Sequence, residues 1–231
     1  MTSAEPPSKR ANVSADGVEK RSPVEYVKRV SGKYHLLIGC TGSVASMKIP
    51  EMIAEIRKHC AQHSAKVLIR VVATENALRF FDGELVAASN EGVPVLRDED
   101  EWRTWKQRGD PILHIELRKW ADLMLIAPLD ANTLAKIANG LCDNLLTNVV
   151  RAWDPKKPLY FCPAMNTYMW DNPITFKQVE TLRSLLGYKE MPCIEKELMC
   201  GDKGYGAMTT LPMIGSVIAG EVKNHFAIWT G

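Results

Sequence analysis

Four short runs of nearly unbroken apolar residues stand out after residue 33: YHLLIGC from Tyr34, AKVLIRVVAT from Ala65, LMLIAPL from Leu123 and PLYFCPAM from Pro158. Continuous rather than alternating apolar character predicts parallel strands with helices covering both sheet faces. Between the runs the period changes to that of a helix. Ile49, Met52, Ile53, Ile56 and Cys60 fall on one face, as do Leu146, Val149, Val150 and Trp153. A third helix is expected from about Pro173, with Asn172 as its cap, Val179, Leu182 and Leu186 as its stripe and Gly187 at its end. Pro50 leaves two readings open: a first helix capped by Ser43 and kinked at Pro50, or a helix that starts later. The pattern is that of an α/β layer sandwich with a mainly parallel sheet.

At 231 residues and 25.8 kDa the chain can bury a sizeable core, and a single domain over residues 31–231 is expected. Hydrophobic residues make up 46% and charged residues 24%, which excludes a coiled coil and wholesale disorder. Residues 1–30 mix Ser, Pro, Lys, Glu and Ala without an apolar period or a secretory hydrophobic stretch, and read as a disordered tail. That tail holds six bases and four acids, the whole of the net +2, and the remainder balances at 23 against 23. No single-sign run marks a nucleic-acid or membrane binder, so a small-molecule partner is expected. The longest apolar stretches fall far short of the roughly 20 residues that span a bilayer. Six cysteines show no CxxC spacing, and four lie in or beside apolar runs, which points to reduced thiols and a cytoplasmic setting.

Candidate chemistry clusters where the strands end. GCTGSVAS (Gly39 to Ser46) joins the first strand to a helix, a natural phosphate site. It contains no GxGxxG, and Ser43 stands where a P-loop would carry lysine, so a single phosphate at Ser43 and a tight turn with a capping serine are equally good readings. Asp130, Asn132 and Thr133 gather polar groups after the third run, either as ligand contacts or with Asn132 or Thr133 capping a short helix that Gly140 ends. In PAMNTYMW, Asn166 and Met169 would share a face of a helical turn, and Asn166 offers both donor and acceptor. Taken alone, Asn as turn former and Met as core filler is the simpler account. His114 sits in DPILHIELRKW, an alternating stretch; a lone histidine there is more simply structural, although an imidazole also suits proton transfer, and the other histidines lack metal-ligand spacing, so no metal is expected. Cys200 heads MCGDKGYGAM, a composition that suits a mobile loop, and Asp202 beside it favours a proton-donating thiol over a thiolate.

Together, TGSVAS, the stretch from Asp110 through DPILHIELRKWADLMLIAPLDANTLAKIANGLCDNLLTNVVRAWD, PAMNTYMW and CGDKGYGAM resemble the phosphopantothenoylcysteine decarboxylase family, in the family's order and over about Tyr34 to Pro212. The resemblance implies a flavodoxin-like/Rossmann-like three-layer sandwich that binds FMN and forms a homotrimer with active sites between subunits. It implies decarboxylation of 4′-phosphopantothenoylcysteine to 4′-phosphopantetheine in coenzyme A biosynthesis, through oxidation of the thiol to a thioaldehyde, loss of carbon dioxide and reduction of the enethiolate. By motif, His114 resembles the histidine of oxidative decarboxylation, Asn166 the residue holding the substrate carboxylate and Cys200 the acid for the reduction. Ser43, Val44 and Ala45 would hold the FMN phosphate region, with Thr74, Glu75, Asn76, Ala77, Asp130, Ala131, Asn132, Thr133 and Ala164 completing the flavin pocket. Asn166, Met169, Glu197 and Met199 would contact substrate. Two alternatives share parts of this pattern. Related flavoproteins act on a peptide's terminal cysteine or transfer a prenyl group to flavin, and the Cys-Gly-Asp segment argues against them. Other relatives inhibit a protein phosphatase as regulatory subunits, but carry long acidic extensions unlike this tail.

Overall fold

Each apolar run forms a strand in the computed structural model, which describes residues 23–84, 86, 92–197 and 203–229. They are β1 (Tyr34–Cys40), β2 (Val67–Ala73), β4 (Leu123–Leu129) and β5 (Leu159–Pro163), and two-residue strands β3 (Val95–Leu96) and β6 (Lys189–Glu190) extend the sheet at its edges. The strand order is β3-β2-β1-β4-β5-β6 and every pairing is parallel. All residues of β1, β4 and β5 are buried, as strands covered on both faces must be. Successive side chains serve opposite layers. Leu36, Ile38 and Cys40 pack with α1 (Ile49–Ala61) and the last helix, α8 (Leu211–Trp229). Leu37, Met124 and Ile126 pack with α3 (Leu113–Trp120) and α5 (Leu145–Arg151) on the other side.

Of the two readings of Pro50, the later start is correct. Residues Val44–Lys48 form a 3-10 turn, α1 begins at Ile49, and Pro50 occupies its first turn, where a missing N–H costs nothing. The predicted stripe of Ile49, Met52, Ile53, Ile56 and Cys60 is buried. The helix expected from Pro173 is α7 (Pro173–Glu180), capped as expected by Asn172, whose Oδ1 accepts the Ile174 N–H at 3.0 Å. It widens into a π turn over Thr181–Leu185, and Gly187 closes it at φ 71°. The stretch around His114 is helical, not alternating: Leu113, Leu117 and Trp120, at helical spacing, form the buried face of α3.

Residues 23–30, read from composition as part of the tail, are docked on the domain. Pro23–Val27 forms a 3-10 turn, Val27 is buried, and the Tyr26 carbonyl accepts Arg70 Nε–H at 2.9 Å. Arg29 donates to Asp122 Oδ1 at 2.7 Å, and the Val30 N–H donates to Nε2 of the buried His35 at 3.0 Å. A few polar anchors on buried partners thus dock a segment whose composition alone is tail-like. Asp122 Oδ2 also accepts the His35 N–H and lies 3.1 Å from Nδ1. Because Nε2 accepts from Val30, the ring proton sits on Nδ1.

Burial pushes the Asp122 carboxyl upward, but the hydrogen bonds from His35 and Arg29 outweigh it and hold the group down at about 2. A depressed carboxyl contributes stability that is complete well above its ordinary value and fades as pH falls toward 2. Asp122→Asn is therefore expected to cost about 2 kcal/mol at pH 7 and about half that at pH 3. Urea denaturation at the two pH values measures this, and an equal deficit at both would remove the charge from the account.

Candidate active site at the switch point of the sheet

The chain winds from β1 toward β2 and β3 in one direction and toward β4 and β5 in the other. The crevice at the carboxyl ends of β1 and β4 is where sheets of this kind bind ligands. Thr41, fully buried, stitches the two ends together: its Oγ1 donates to the Pro128 carbonyl at 2.9 Å and accepts the Asp130 N–H at 2.7 Å. Ser46 Oγ–H donates to the Thr41 carbonyl at 2.7 Å. Gly42 sits where three loops converge. A Cβ there would lie 2.8 Å from Asn76 Cβ and 3.0 Å from Asp130 Oδ2, so no side chain is accommodated. Ser43, Val44 and Ala45 follow directly, with Ser43 extended and its Oγ accepting the Ala45 N–H at 3.4 Å.

Beside this turn lies a cavity of about 220 Å³. Thr74, Glu75, Asn76, Asp130, Asn132 and Thr133, six of the residues expected to hold a cofactor, line it. Thr74 faces it from the end of β2, where its N–H donates to the Cys40 carbonyl at 3.1 Å and its Oγ1 accepts the Ala77 N–H at 3.3 Å. The cap of α4 (Ala131–Ala138) is Asp130, neither Asn132 nor Thr133: its Oδ1 accepts the Thr133 N–H at 2.7 Å. The extended Asp130 backbone presents the carboxylate to the first turn, leaving Asn132 exposed on it. Ala77, Ala131 and Ala164 contribute backbone around this point; Ala164 N–H donates to the Leu129 carbonyl at 2.9 Å.

Four further residues line the cavity without having been anticipated: Asp98, Lys136, Asp143 and Asn144. Lys136 Nζ reaches Asp143 Oδ2 at 2.7 Å, and this hydrogen bond holds the Asp143 carboxyl below the usual range. Asp98 opens α2 (Asp98–Thr104) and accepts the Leu145 N–H at 2.8 Å. On the same helix Glu101 takes both polar contacts of His114: Oε2 accepts the backbone N–H at 3.1 Å, and Oε1 lies 2.8 Å from Nδ1.

Asn166 is not on a helical turn with Met169. It caps the four-residue helix α6 (Thr167–Trp170), its Oδ1 accepting the Tyr168 N–H at 2.9 Å, while Met169 is exposed rather than core filler. The glycine-rich segment is not wholly a loop either. Lys203–Ala207 is strand β8, paired antiparallel with β7 (Ile194–Glu197). The hairpin docks against the residues before Asn166: Met165 N–H donates to the Gly206 carbonyl at 2.9 Å. Gly206, at φ 131°, allows this approach, since a Cβ there would sit 2.4 Å from the Met165 carbonyl oxygen. Glu197 ends β7; Met199 and Cys200 lie outside the described residues. His114, Asn166 and Met169 are not among the residues lining the cavity.

The remaining thiols are poor competitors for chemistry. Burial pushes Cys60 and Cys193 up to about 11, and raises Cys40 and Cys162 as well. Cys142 alone among the described cysteines is exposed.

A family model described as Flavoprotein matches residues 25–223. The phosphopantothenoylcysteine decarboxylase of Mus musculus is 48% identical over 198 residues, covering 85% of this chain and 91% of that protein. Among solved structures, a cysteine-to-serine mutant of PPC decarboxylase complexed with pantothenoylaminoethenethiol superposes with a TM-score of 0.72 at 45% identity, covering 86% of this chain and all of that one. The FMN binding protein AtHal3 gives 0.68 at 48% identity, covering 80% and 95% respectively. With a doubly wound sheet, a polar cavity at its switch point and this degree of likeness over most of its length, the chain belongs to the phosphopantothenoylcysteine decarboxylase family of flavoproteins.

Proposed function

We propose that the protein decarboxylates 4′-phosphopantothenoylcysteine to 4′-phosphopantetheine with FMN as cofactor. The observation that carries this is the coincidence of the switch-point cavity with six residues of the expected flavin pocket, in a chain nearly half identical to named decarboxylases. The donor set fits FMN. Asn76 and Asn132 offer donors and acceptors to a heterocycle, Gly42 leaves room for close approach, and Ser43 brings a hydroxyl to the start of the turn that continues through Val44 and Ala45.

When bound, FMN supplies a two-electron acceptor that turns the substrate thiol into a thioaldehyde and later returns the electrons. The chain's residues do the rest. His114 accepts a proton as the thiol is oxidised. Asn166 holds the substrate carboxylate from its place at the start of α6, where its Oδ1 accepts the Tyr168 N–H. The thioaldehyde then stabilises the charge left by carbon dioxide, and Cys200 protonates the resulting enethiolate as it is reduced. Met169 and Met199, with Glu197 by its backbone, contribute to the substrate site. A complex of a cysteine mutant with an enethiol is what this order of steps expects.

A homotrimer with shared sites accounts for His114, Asn166 and Met169 lying away from the cavity of the single chain. Light scattering should read three times the chain mass. Free buried thiols at Cys40, Cys60, Cys162 and Cys193 support a cytoplasmic setting, and among the described residues no helix is long and apolar enough to cross a membrane.

The purified protein is expected to be yellow, to release FMN and not FAD on denaturation, and to liberate carbon dioxide from phosphopantothenoylcysteine. Unphosphorylated pantothenoylcysteine and a peptide ending in cysteine are the comparison substrates. A colourless protein, or one preferring the peptide, would overturn the assignment.

A further inference from the structure

We propose that Glu101 is a positioning residue for His114: it fixes the imidazole as the tautomer protonated on Nδ1, with the basic Nε2 turned outward. The inference leans on the function proposed above only for its effect on turnover; the tautomer stands on geometry alone.

One carboxylate spends both oxygens on one residue, Oε2 on the backbone N–H of His114 and Oε1 on Nδ1 at 2.8 Å. A carboxylate only accepts, so the ring nitrogen facing it carries the hydrogen. Both side chains are largely enclosed, Glu101 at 13% exposure and His114 at 23%. No partner approaches Nε2 among the described residues, which leaves its lone pair to a proton of the substrate.

The carboxylate is itself held. Its helix is fixed to the start of α5 by Asp98, which accepts the Leu145 N–H, and is closed internally by Asp100, which accepts the Arg97 N–H at 2.9 Å and pairs with Arg103 at 2.6 Å. Glu101 also stands in for a missing cap, since Ile112, at the start of α3, has no side chain able to provide one. That second duty offers a purely structural explanation, and glutamine separates the two. In Glu101→Gln the carbonyl oxygen can still accept the backbone N–H of His114, which turns the amide NH₂ toward Nδ1. Nδ1 must then accept, and the ring proton moves to Nε2.

Long-range ¹H–¹⁵N spectra of ¹⁵N-labelled holoprotein, at a pH where the ring is neutral and with His114→Asn to assign the signals, read the tautomer directly. The parent is expected to show the proton on Nδ1, and Glu101→Gln the proton on Nε2 with FMN content unchanged. Carbon dioxide release should then fall by about 100-fold or more in kcat with little change in KM, the scale on which a misplaced general base acts. A parent ring protonated on Nε2 overturns the proposal whether or not the variant folds. So does a Glu101→Gln protein with the parent's tautomer. An inverted tautomer with undiminished turnover would uphold the positioning by Glu101 and remove His114 from the proposed reaction instead.

Discussion

Cys200→Ser is expected to release carbon dioxide normally and to stop at a product two hydrogens short of 4′-phosphopantetheine. The substitution preserves size and removes acidity: a thiol ionises near 8.5, whereas an aliphatic hydroxyl is a far weaker acid and cannot deliver a proton to an enethiolate on a useful timescale. No other thiol is placed to substitute. Cys40, Cys60, Cys162 and Cys193 are buried and their ionisation is suppressed, while exposed Cys142, in the turn between α4 and α5, is not among the residues lining the cavity. The docked strands β7 and β8 bracket Cys200 in sequence, and β8 holds the backbone just before Asn166. Mass spectrometry of the released product reads the step, and the visible spectrum reports whether FMN stays bound. Normal phosphopantetheine made at the parent rate would reduce Cys200 to an incidental loop residue. Absence of carbon dioxide would move its role ahead of decarboxylation.

The sheet was legible because β1, β4 and β5 are buried along their whole length, which writes them into the chain as apolar runs, and β2, buried at Ile69 and over Val71–Ala73, gives a run broken only by Arg70. Val95–Leu96 and Lys189–Glu190 pair over two residues each and are too short to produce a run. β8 was hidden for a different reason. Gly204 and Gly206 give it the composition of a loop, while their lack of a Cβ is what lets it press against Thr167 and Met165. In α3, Ile115 falls between Leu113 and Leu117 of the true stripe and imitates alternation.

The candidate site divides in the same way. Asp130 is legible from its place directly after a strand, where sheets of this kind hold ligands, whereas Thr74, which also lines the cavity, is legible only through the family resemblance. Glu101 was not, since thirteen positions and a change of helix separate it from the imidazole it meets, and its sequence context, an acidic run DEDE, reads as a solvated face. Asp98, Asp143 and Asn144 likewise reach the cavity through the docking of α2 and the turn after α4, which no local pattern encodes, whereas Lys136 stands one helical turn beyond Asn132 on α4.

Ser43→Asp is expected to yield a folded protein that has lost its flavin. Ser43 is extended at φ −124° and ψ 146°, and its side chain caps the 3-10 turn after β1. Aspartate is as good a capping residue as serine, so the turn, the Thr41 bridge to β4 and the convergence at Gly42 should all survive. What changes is charge. A carboxylate about 4 Å from a phosphate oxygen opposes it by about 4 kcal/mol per charge pair at an effective dielectric near 20, which corresponds to a loss of about 1,000-fold in affinity. Ser43→Ala provides the contrast: it removes the cap at a cost of about 1 kcal/mol without adding charge, and should keep most of its yellow colour. Flavin content after gel filtration, together with circular dichroism, separates loss of ligand from loss of fold. The deficit should also shrink as salt screens the added charge, since the site is open to solvent at Val44. A Ser43→Asp protein that retains a full complement of FMN would mean that the phosphate is bound elsewhere on the sheet edge, and that this turn is only the capped strand-to-helix connection its geometry also permits.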